Sequence, residues 1–306
     1  MEVVERVYPE FQTHTQASGR HSIVNPPLGT IPNFLEKLIL PDKGKVLLSL
    51  DWDQIELRLL ACHAKDDPLI EAFTRGYDVH TLNACEIFGF EYPTIRGEAL
   101  HIHEECSTWR DRYRWGGKGD KRRRFAKVFV YRLAYGADPE LAGQIPGAVS
   151  VGLIGEVAIK ASRRFLAVHH AIPAYHRRLR GDMYRSGSVR TFQGRLCRFT
   201  AKEGKEAERA AFDHPMQGGC TDIYEETLIE IDRRFYPTIE FFYGVHDSQK
   251  WEFDAAPLGT PEGDGLLCQI IGIASQTRTI NGIEMTFPVS CEIIREDGSH
   301  EPYQPS

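Results

Sequence analysis

Apolar positions are nearly continuous from Val46 to Leu50 and stop on Asp51. A short unbroken apolar run reads as a buried strand, here 45–51. A helical period begins at once, with Asp53 as N-cap and Glu56 three residues on, in the pattern of a capping box. That places Asp51 at the carboxyl end of a strand, facing whatever cleft lies above the sheet. Helices follow over about 53–65, 67–75 and 79–88. A second run of the same kind spans Phe241–Phe253: aromatic and β-branched, interrupted by Asp247, then alternating again. It reads as a hairpin with Asp247 near its turn.

Between these landmarks the pattern is mostly helical. Residues 1–44 are extended and turn-rich, punctuated by Pro26, Pro27, Gly29, Pro32 and Pro41. A weakly hydrophobic stretch, 90–120, precedes a basic helix over 121–136. Further helices are expected at 137–146 and at 155–186, the latter bent at Pro173. A hairpin at 188–199 turns on Gln193-Gly194, and Pro215 divides helices 203–213 and 216–235. A helix near 261–275 and a strand around 285–294 complete the pattern, and no internal repeat is evident.

Composition narrows the class. With 306 residues, 42% of them hydrophobic, the chain can bury one large core or two subdomains. No apolar run reaches membrane-spanning length, and the N-terminus MEVVERVYPE is no signal peptide. Seven cysteines lie scattered without CxxC pairs, so a reducing cytoplasm is expected (the host's, if the chain is viral). His101, His103 and Cys106 lack a fourth partner at zinc-site spacing, so that segment reads as an inserted loop. The net charge of −6 says little about nucleic acid, but its distribution does. Basic residues crowd 110–124 and recur at Arg163, Arg164, Arg177, Arg178, Arg180, Arg185, Arg190, Arg195 and Arg198. Local basic stripes on an acidic chain point to a phosphate-facing surface, against the blander reading of solvated helix faces.

Arg123, Lys127, Tyr131 and Tyr135 are spaced by four. Four helical residues turn about 400°, a drift of about 40°, so these side chains form one slowly winding stripe. Two cations followed by two aromatic rings suit a nucleotide, with charge for phosphates and ring faces for sugar and base. Two strand-end carboxylates side by side, Asp51 and Asp247, are a donor set for Mg²⁺, which takes hard oxygen ligands.

At these residues the chain resembles the family A DNA polymerases, the bacterial DNA polymerase I and phage replicase group. DWDQIELR at 51–58 resembles the family's first catalytic motif, usually DYSQIELR, and GVHDS at 244–248 resembles its third, VHDE. Residues 123–136 resemble its nucleotide-binding helix, R-x₃-K-x₃-F/Y-x₃-Y-G. Further matches are Ala17–Arg20 with Asn25-Pro26, Val189–Arg195 and His214–Gly218, all in family order.

The resemblance implies an α+β fold, with an antiparallel palm sheet backed by helices and a helical fingers subdomain. The palm would take 1–64 and 186–306, and the fingers 65–185, including the basic loop 90–120 and helix 121–136. It implies template-directed addition of deoxynucleotides to a primer 3′ end by two-metal phosphoryl transfer. Asp51 and Asp247 would be catalytic and, with the Trp52 carbonyl, would ligate two Mg²⁺ ions, with Mn²⁺ as a substitute. Arg123 and Lys127 would meet the triphosphate, Tyr131 the sugar and Tyr135 the templating base, while Glu56, His80 and Gln54 complete the nucleotide site. Glu56 would disfavour a 2′-hydroxyl, and tyrosine at 131 implies acceptance of dideoxynucleotides. Arg20, Arg209, Gln217 and His246 would contact primer–template DNA. Ser248, Arg132 and Asp213 depart from the family's usual Glu, small residue and Asn.

The match begins almost at Met1, so thumb and 3′–5′ exonuclease are expected to be absent. A split or truncated phage-type enzyme follows, with primer–template DNA, deoxynucleoside triphosphates and a separate chain supplying the missing parts as partners. The alternative is a catalytically degenerate DNA-binding subunit of a replication complex. A metal-dependent nuclease would have no need of the nucleotide-binding helix.

Overall fold

The structure, a computed structural model, describes residues 8–12, 18–31, 35, 38–89, 121–199 and 204–303, and the backbone of 94–95 and 98–99. The first strands are β1 (Glu10–Gln12), β2 (Ser22–Val24) and β3 (Lys45–Trp52). Helices α1 (Ile55–Ala64), α2 (Asp67–Thr74) and α3 (Val79–Phe88) follow, then the short pair β4 (Thr94–Ile95) and β5 (Glu98–Ala99). Next come α4 (Lys121–Ala134), α5 (Glu156–Val168), α6 (Ala171–Ser186), β6 (Ser188–Arg190) and β7 (Leu196–Arg198). The long helix α7 (Lys205–Phe235) leads to β8 (Ile239–Val245) and β9 (Ser248–Asp254). Helix α8 (Pro261–Ala274) and strands β10 (Thr277–Ile280), β11 (Ile283–Thr286), β12 (Val289–Ile294) and β13 (His300–Pro302) end the chain.

The centre is a five-stranded antiparallel sheet in the order β13-β12-β3-β9-β8. Side chains alternate between the faces of a strand, so Val46, Leu48, Leu50 and Trp52 of β3 enter the core. From β9, Trp251 and Phe253 join them, paired in register with Leu48 and Val46. Each such fully buried apolar side chain contributes about 1.5–3 kcal/mol. A one-residue slip would turn the whole apolar set outward, which fixes the register. The same register puts Asp51 opposite Ser248 and Ser49 opposite Lys250 on the other face.

Four local expectations are corrected by packing. Helix α1 starts at Ile55 with Gln54 as its N-cap, in the left-handed region at φ 55° and without a side-chain capping bond. The capping box does not form, because Glu56 is held by tertiary partners and Asp53 Oδ1 accepts from Ser290 Oγ. The 137–146 segment is a 3₁₀ helix, Pro139–Gln144. Gly136 ends α4 at φ 74°, where a Cβ would fall 2.4 Å from the Phe212 ring. The 155–186 helix is two helices broken at His169-His170 rather than bent at Pro173. Pro173 lies in the first turn of α6, where its missing N–H has no intrahelical partner to lose. Helices 203–213 and 216–235 are one, with Pro215 inside it. Burial of Ala211, Phe212, Met216 and Ile223 along α7 outweighs the roughly 3 kcal/mol that an interior proline costs. Hairpin β10–β11 is an addition to the predicted elements.

The α5–α6 break has a cause. His169 is fully buried, its Nδ1 2.7 Å from Asp66 Oδ1 and its Nε2 2.9 Å from Glu86 Oε2. Asp66 also N-caps α2, its Oδ1 accepting from the Leu69 N–H at 3.1 Å. Burial alone would depress the imidazole, but the hydrogen bonds and charges of both carboxylates raise it to about 9. This ion triad ties the start of α2, helix α3 and the α5–α6 junction together behind α4.

Candidate active site

Asp51 stands on the face of β3 turned away from the core, and Asp247 occupies the tight β8–β9 turn. The Trp52 N–H donates to the Asp247 carbonyl at 3.2 Å, which closes that turn against β3. Gly244 permits the approach, since a Cβ there would lie 1.7 Å from the Tyr224 hydroxyl. Asp51's carboxyl is pushed up to about 6, by desolvation first and then by the negative charges of Asp247 and Asp53. Lys250, diagonal to it across the β3–β9 ladder, and Lys127 pull the other way. Carboxyls crowded until they resist ionisation are the donor set that a hard divalent cation relieves. The residues present therefore fit Mg²⁺ between Asp51 and Asp247.

A second network adjoins the first. Arg20 Nη2 donates to Glu56 Oε1 at 3.0 Å and to Asp247 Oδ1 at 3.2 Å. The Tyr135 hydroxyl donates to Glu56 Oε2. Glu56 thus has a donor at each carboxylate oxygen. Asp213 is half-buried nearby, its carboxyl pushed up to about 6 by desolvation and by Glu56, against the pull of Arg20. Arg20 and Asp247 also line a cleft of about 360 Å³, together with Trp52, Cys220, Tyr224 and His246, among others.

The α4 stripe reaches this network through Tyr135, whose hydroxyl bonds Glu56, and through the charge of Lys127 on Asp51. Tyr131 and Tyr135 stack with centroids 6.4 Å apart, and His80 lies 6.2 Å from the Tyr131 ring. His80 is buried at the start of α3 and its imidazole is lowered to about 4, by desolvation and by Arg123 and Lys127 despite Asp78. It is therefore neutral at physiological pH. Lys127 is exposed, and its charge acts on both Asp51 and His80. Arg123 is turned to Asp78, with Nε to Oδ2 at 2.6 Å and Nη2 to Oδ1 at 2.8 Å. Thr81 Oγ1 also donates to that carboxylate, at 2.6 Å.

Other predicted residues lie at the margins. His246 is exposed in the β8–β9 turn at φ 54°, and Gln54 precedes α1 with its Oε1 buried and without a donor among the described residues. Trp52 is buried, its indole N–H donating to the Ala274 carbonyl at 3.1 Å. Gln217 is half-buried and Arg209 exposed, both on α7 at the four-residue spacing of Asp213. Four arginines of the second basic stripe are met by the chain's own acids. Arg163 pairs with Glu140, Arg180 with Glu208, Arg185 with Asp182, and Arg195 with Asp222 and Glu225. His101, His103, Cys106 and basic residues 110–120 lie outside the described residues.

Comparison with known proteins gives the family and the fold. The family model for DNA polymerase family A matches residues 1–258. The chain belongs to that family. Among curated relatives of this family A chain, DNA polymerase I of Pseudomonas aeruginosa is 30% identical over 240 residues, covering 74% of this chain and 23% of the relative. DNA polymerase I of Geobacillus stearothermophilus is 28% identical over 245 residues, covering 76% and 25%. The chain thus spans about a quarter of the length of these relatives. A solved structure, the POL domain of Pol1 from M. smegmatis in complex with DNA primer-template and dNTP, superposes with a TM-score of 0.74. It is 24% identical, and the match covers 96% of this chain and 48% of that one, a likeness in fold. Among the described residues of this family A chain, no helix is long and apolar enough to cross a membrane.

Sequence reasoning missed two charged neighbours of the site, Asp78 and Lys250, and one cleft-lining residue outside its chemistry, Cys220. Asp78 buries its carboxylate against Arg123, and only its place two residues before His80 hinted at that. Lys250 lies inside an alternating strand, with no local signal for its closeness to Asp51. Cys220 is invisible until α7 is packed against the cleft.

Proposed function

We propose that this chain carries the nucleotide-adding centre of a DNA-directed DNA polymerase, acting on primer–template DNA and deoxynucleoside triphosphates. The observation that carries the reading is that the α4 stripe reaches the carboxylates: the Tyr135 hydroxyl donates to Glu56, and the charge of Lys127 acts on Asp51 beside Asp247. Residues 65–185 act as fingers around α4, and 1–64 with 186–306 as the palm. Phosphoryl transfer asks little covalent chemistry of side chains; it needs positioning and charge neutralisation. Asp51 and Asp247, with the Trp52 carbonyl, would hold two Mg²⁺ ions, which supply activation of the primer hydroxyl and stabilisation of departing pyrophosphate. Lys127 attracts the triphosphate and Tyr131 offers its ring face to the sugar. Arg123 contributes positive potential from its seat on Asp78. Neutral His80 donates to a phosphate oxygen without adding charge. Arg20, released from Asp247 when the site fills, contacts the primer–template minor groove, whose acceptors occur on every base pair.

The test is primer extension by the purified chain with Mg²⁺ and four deoxynucleotides at low salt, because phosphate-driven binding weakens steeply as salt rises. Templated extension is expected. A folded protein that binds primer–template but never extends it would instead favour the degenerate DNA-binding subunit or a required separate chain.

Glu56→Ala is expected to raise ribonucleotide use relative to deoxynucleotide by about tenfold or more, since a fixed carboxylate excludes a 2′-hydroxyl by contact and desolvation. Single-nucleotide incorporation ratios measure it, and an unchanged ratio would leave Glu56 only its ties to Arg20 and Tyr135. Tyr131 predicts ready use of dideoxynucleotides. In a competition assay the two nucleotide types should be incorporated at comparable rates, and a strong preference for deoxynucleotides would refute the assignment.

A further inference from the structure

Cys220 is the cleft residue for which nucleotide addition has no use. Its side chain is 3% exposed, on the face of α7 that lines the cleft beside Asp247. Its sulfur, a Glu56 carboxylate oxygen and an Asp247 carboxylate oxygen all lie within 4.8 Å of one another. Among the described residues this is the one group of three potential metal donors that converges so closely, and Asp51 is outside it. The thiol is free, in no disulfide, and buried. An independent observation shows that the spot takes positive charge: Arg20 Nη2 already bridges Glu56 and Asp247 at 3.0 and 3.2 Å.

The donor types select the ion. Mg²⁺ takes oxygen ligands, whereas a thiolate selects softer cations such as Zn²⁺ and its heavier congener Cd²⁺. Zinc bonds of about 2.3 Å to sulfur and about 2.0–2.2 Å to oxygen put tetrahedral donors roughly 3.3–3.8 Å apart. Donors that start within 4.8 Å of one another have about 1 Å to close to reach that spacing, with water as the fourth ligand.

We propose that Glu56, Cys220 and Asp247 form a site for a thiophilic divalent cation, Zn²⁺ or Cd²⁺, whose binding displaces Arg20 and inhibits nucleotide addition. As the metal–sulfur bond forms, the thiol S–H bond breaks and its proton leaves to solvent. Both Arg20 hydrogen bonds are lost, and no electron changes hands. Asp247 is then committed to the wrong ion and lost to Asp51. The inhibitory half rests on the proposed polymerase reading; the binding half does not.

Cd²⁺ titration of the whole chain tests both halves. The ultraviolet thiolate-to-cadmium charge-transfer band reports binding, and extension at fixed Mg²⁺ and rising Cd²⁺ reports inhibition. Cys220→Ala should remove one equivalent of the band and raise the half-inhibiting Cd²⁺ concentration at least about tenfold, about 1.4 kcal/mol for the lost metal–sulfur bond. Extension in Mg²⁺ alone should be unchanged. Glu56→Gln should keep the band but shift it to higher Cd²⁺. Cys220→Ser, which keeps the side-chain shape, gives the same comparison should the alanine variant misfold. The same band in wild type and both cysteine variants, or the same half-inhibiting concentration, overturns the proposal. A Cys220-dependent band in a wild-type chain that never extends primers would support the metal site while removing the polymerase reading.

Discussion

Replacing Asp51 and Asp247 together by alanine will abolish Mg²⁺-dependent primer extension and leave the protein folded. Loss of both carboxylates removes the oxygen donors for the metal pair, an effect of several kcal/mol on the transition state. At about 1.36 kcal/mol per decade, the fall is on the order of 10³-fold or more. Survival of the fold follows from the electrostatics. Asp51 has a raised pKa, and a carboxyl raised by folding costs stability once the pH exceeds its unfolded value. Its removal at neutral pH relieves repulsion with Asp247 and Asp53. The cost of Asp247→Ala is its bridge to Arg20, a partly exposed pair that keeps its Glu56 half. Single-turnover extension and urea unfolding of the same preparations give both readouts. Residual extension within about tenfold of wild type would sink the catalytic assignment. Loss of the unfolding transition would mean that the carboxylates hold the fold.

The largest effect on stability is expected far from the cleft, at His169. His169→Leu leaves the fully buried Asp66 and the mostly buried Glu86 without their cation, and breaking a buried pair from one side costs about 3–5 kcal/mol. The pH dependence has a definite sign. The imidazole is raised from 6.5 to about 9, so its contribution is fully present below pH about 6.5. It is lost as pH rises through about 9. Urea unfolding of wild type and variant should therefore differ most near pH 6 and converge towards pH 10. Other groups titrate in that range, and taking the difference between the two proteins removes them. A difference below about 1 kcal/mol at pH 6, or one that is flat with pH, would reject the charged triad. Because His169 breaks the helix behind α4, the variant should also weaken nucleotide addition by loosening the α4 stripe.

What could be read from the sequence was local in origin. The apolar run ending on Asp51 became β3, and the interrupted aromatic run became β8–β9 with Asp247 in its turn. The abrupt end of the apolar run put Asp51 at the carboxyl end of its strand, whereas the face it occupies came from the register with β9. The four-residue spacing on α4 likewise put Lys127, Tyr131 and Tyr135 on one stripe. Motif order then fixed the family. Contacts between residues distant along the chain were beyond that reach. Arg20 crosses 227 positions to Asp247, Arg123 crosses 45 to Asp78, and His169 crosses 103 to Asp66. Each depends on how whole elements pack, and packing also overruled local rules where the two conflicted. Pro215 sits inside a helix because the residues around it are buried. Glu56 abandons its capping box because two tertiary donors outbid one backbone N–H. Cys220 turns towards Asp247 only because α7 lies against the sheet. The sequence therefore determined the strands, the turn carboxylate and the Lys127–Tyr131–Tyr135 stripe. Tertiary structure alone decided which charges are paired, because pairing depends on distance in space and sequence patterns report only distance along the chain.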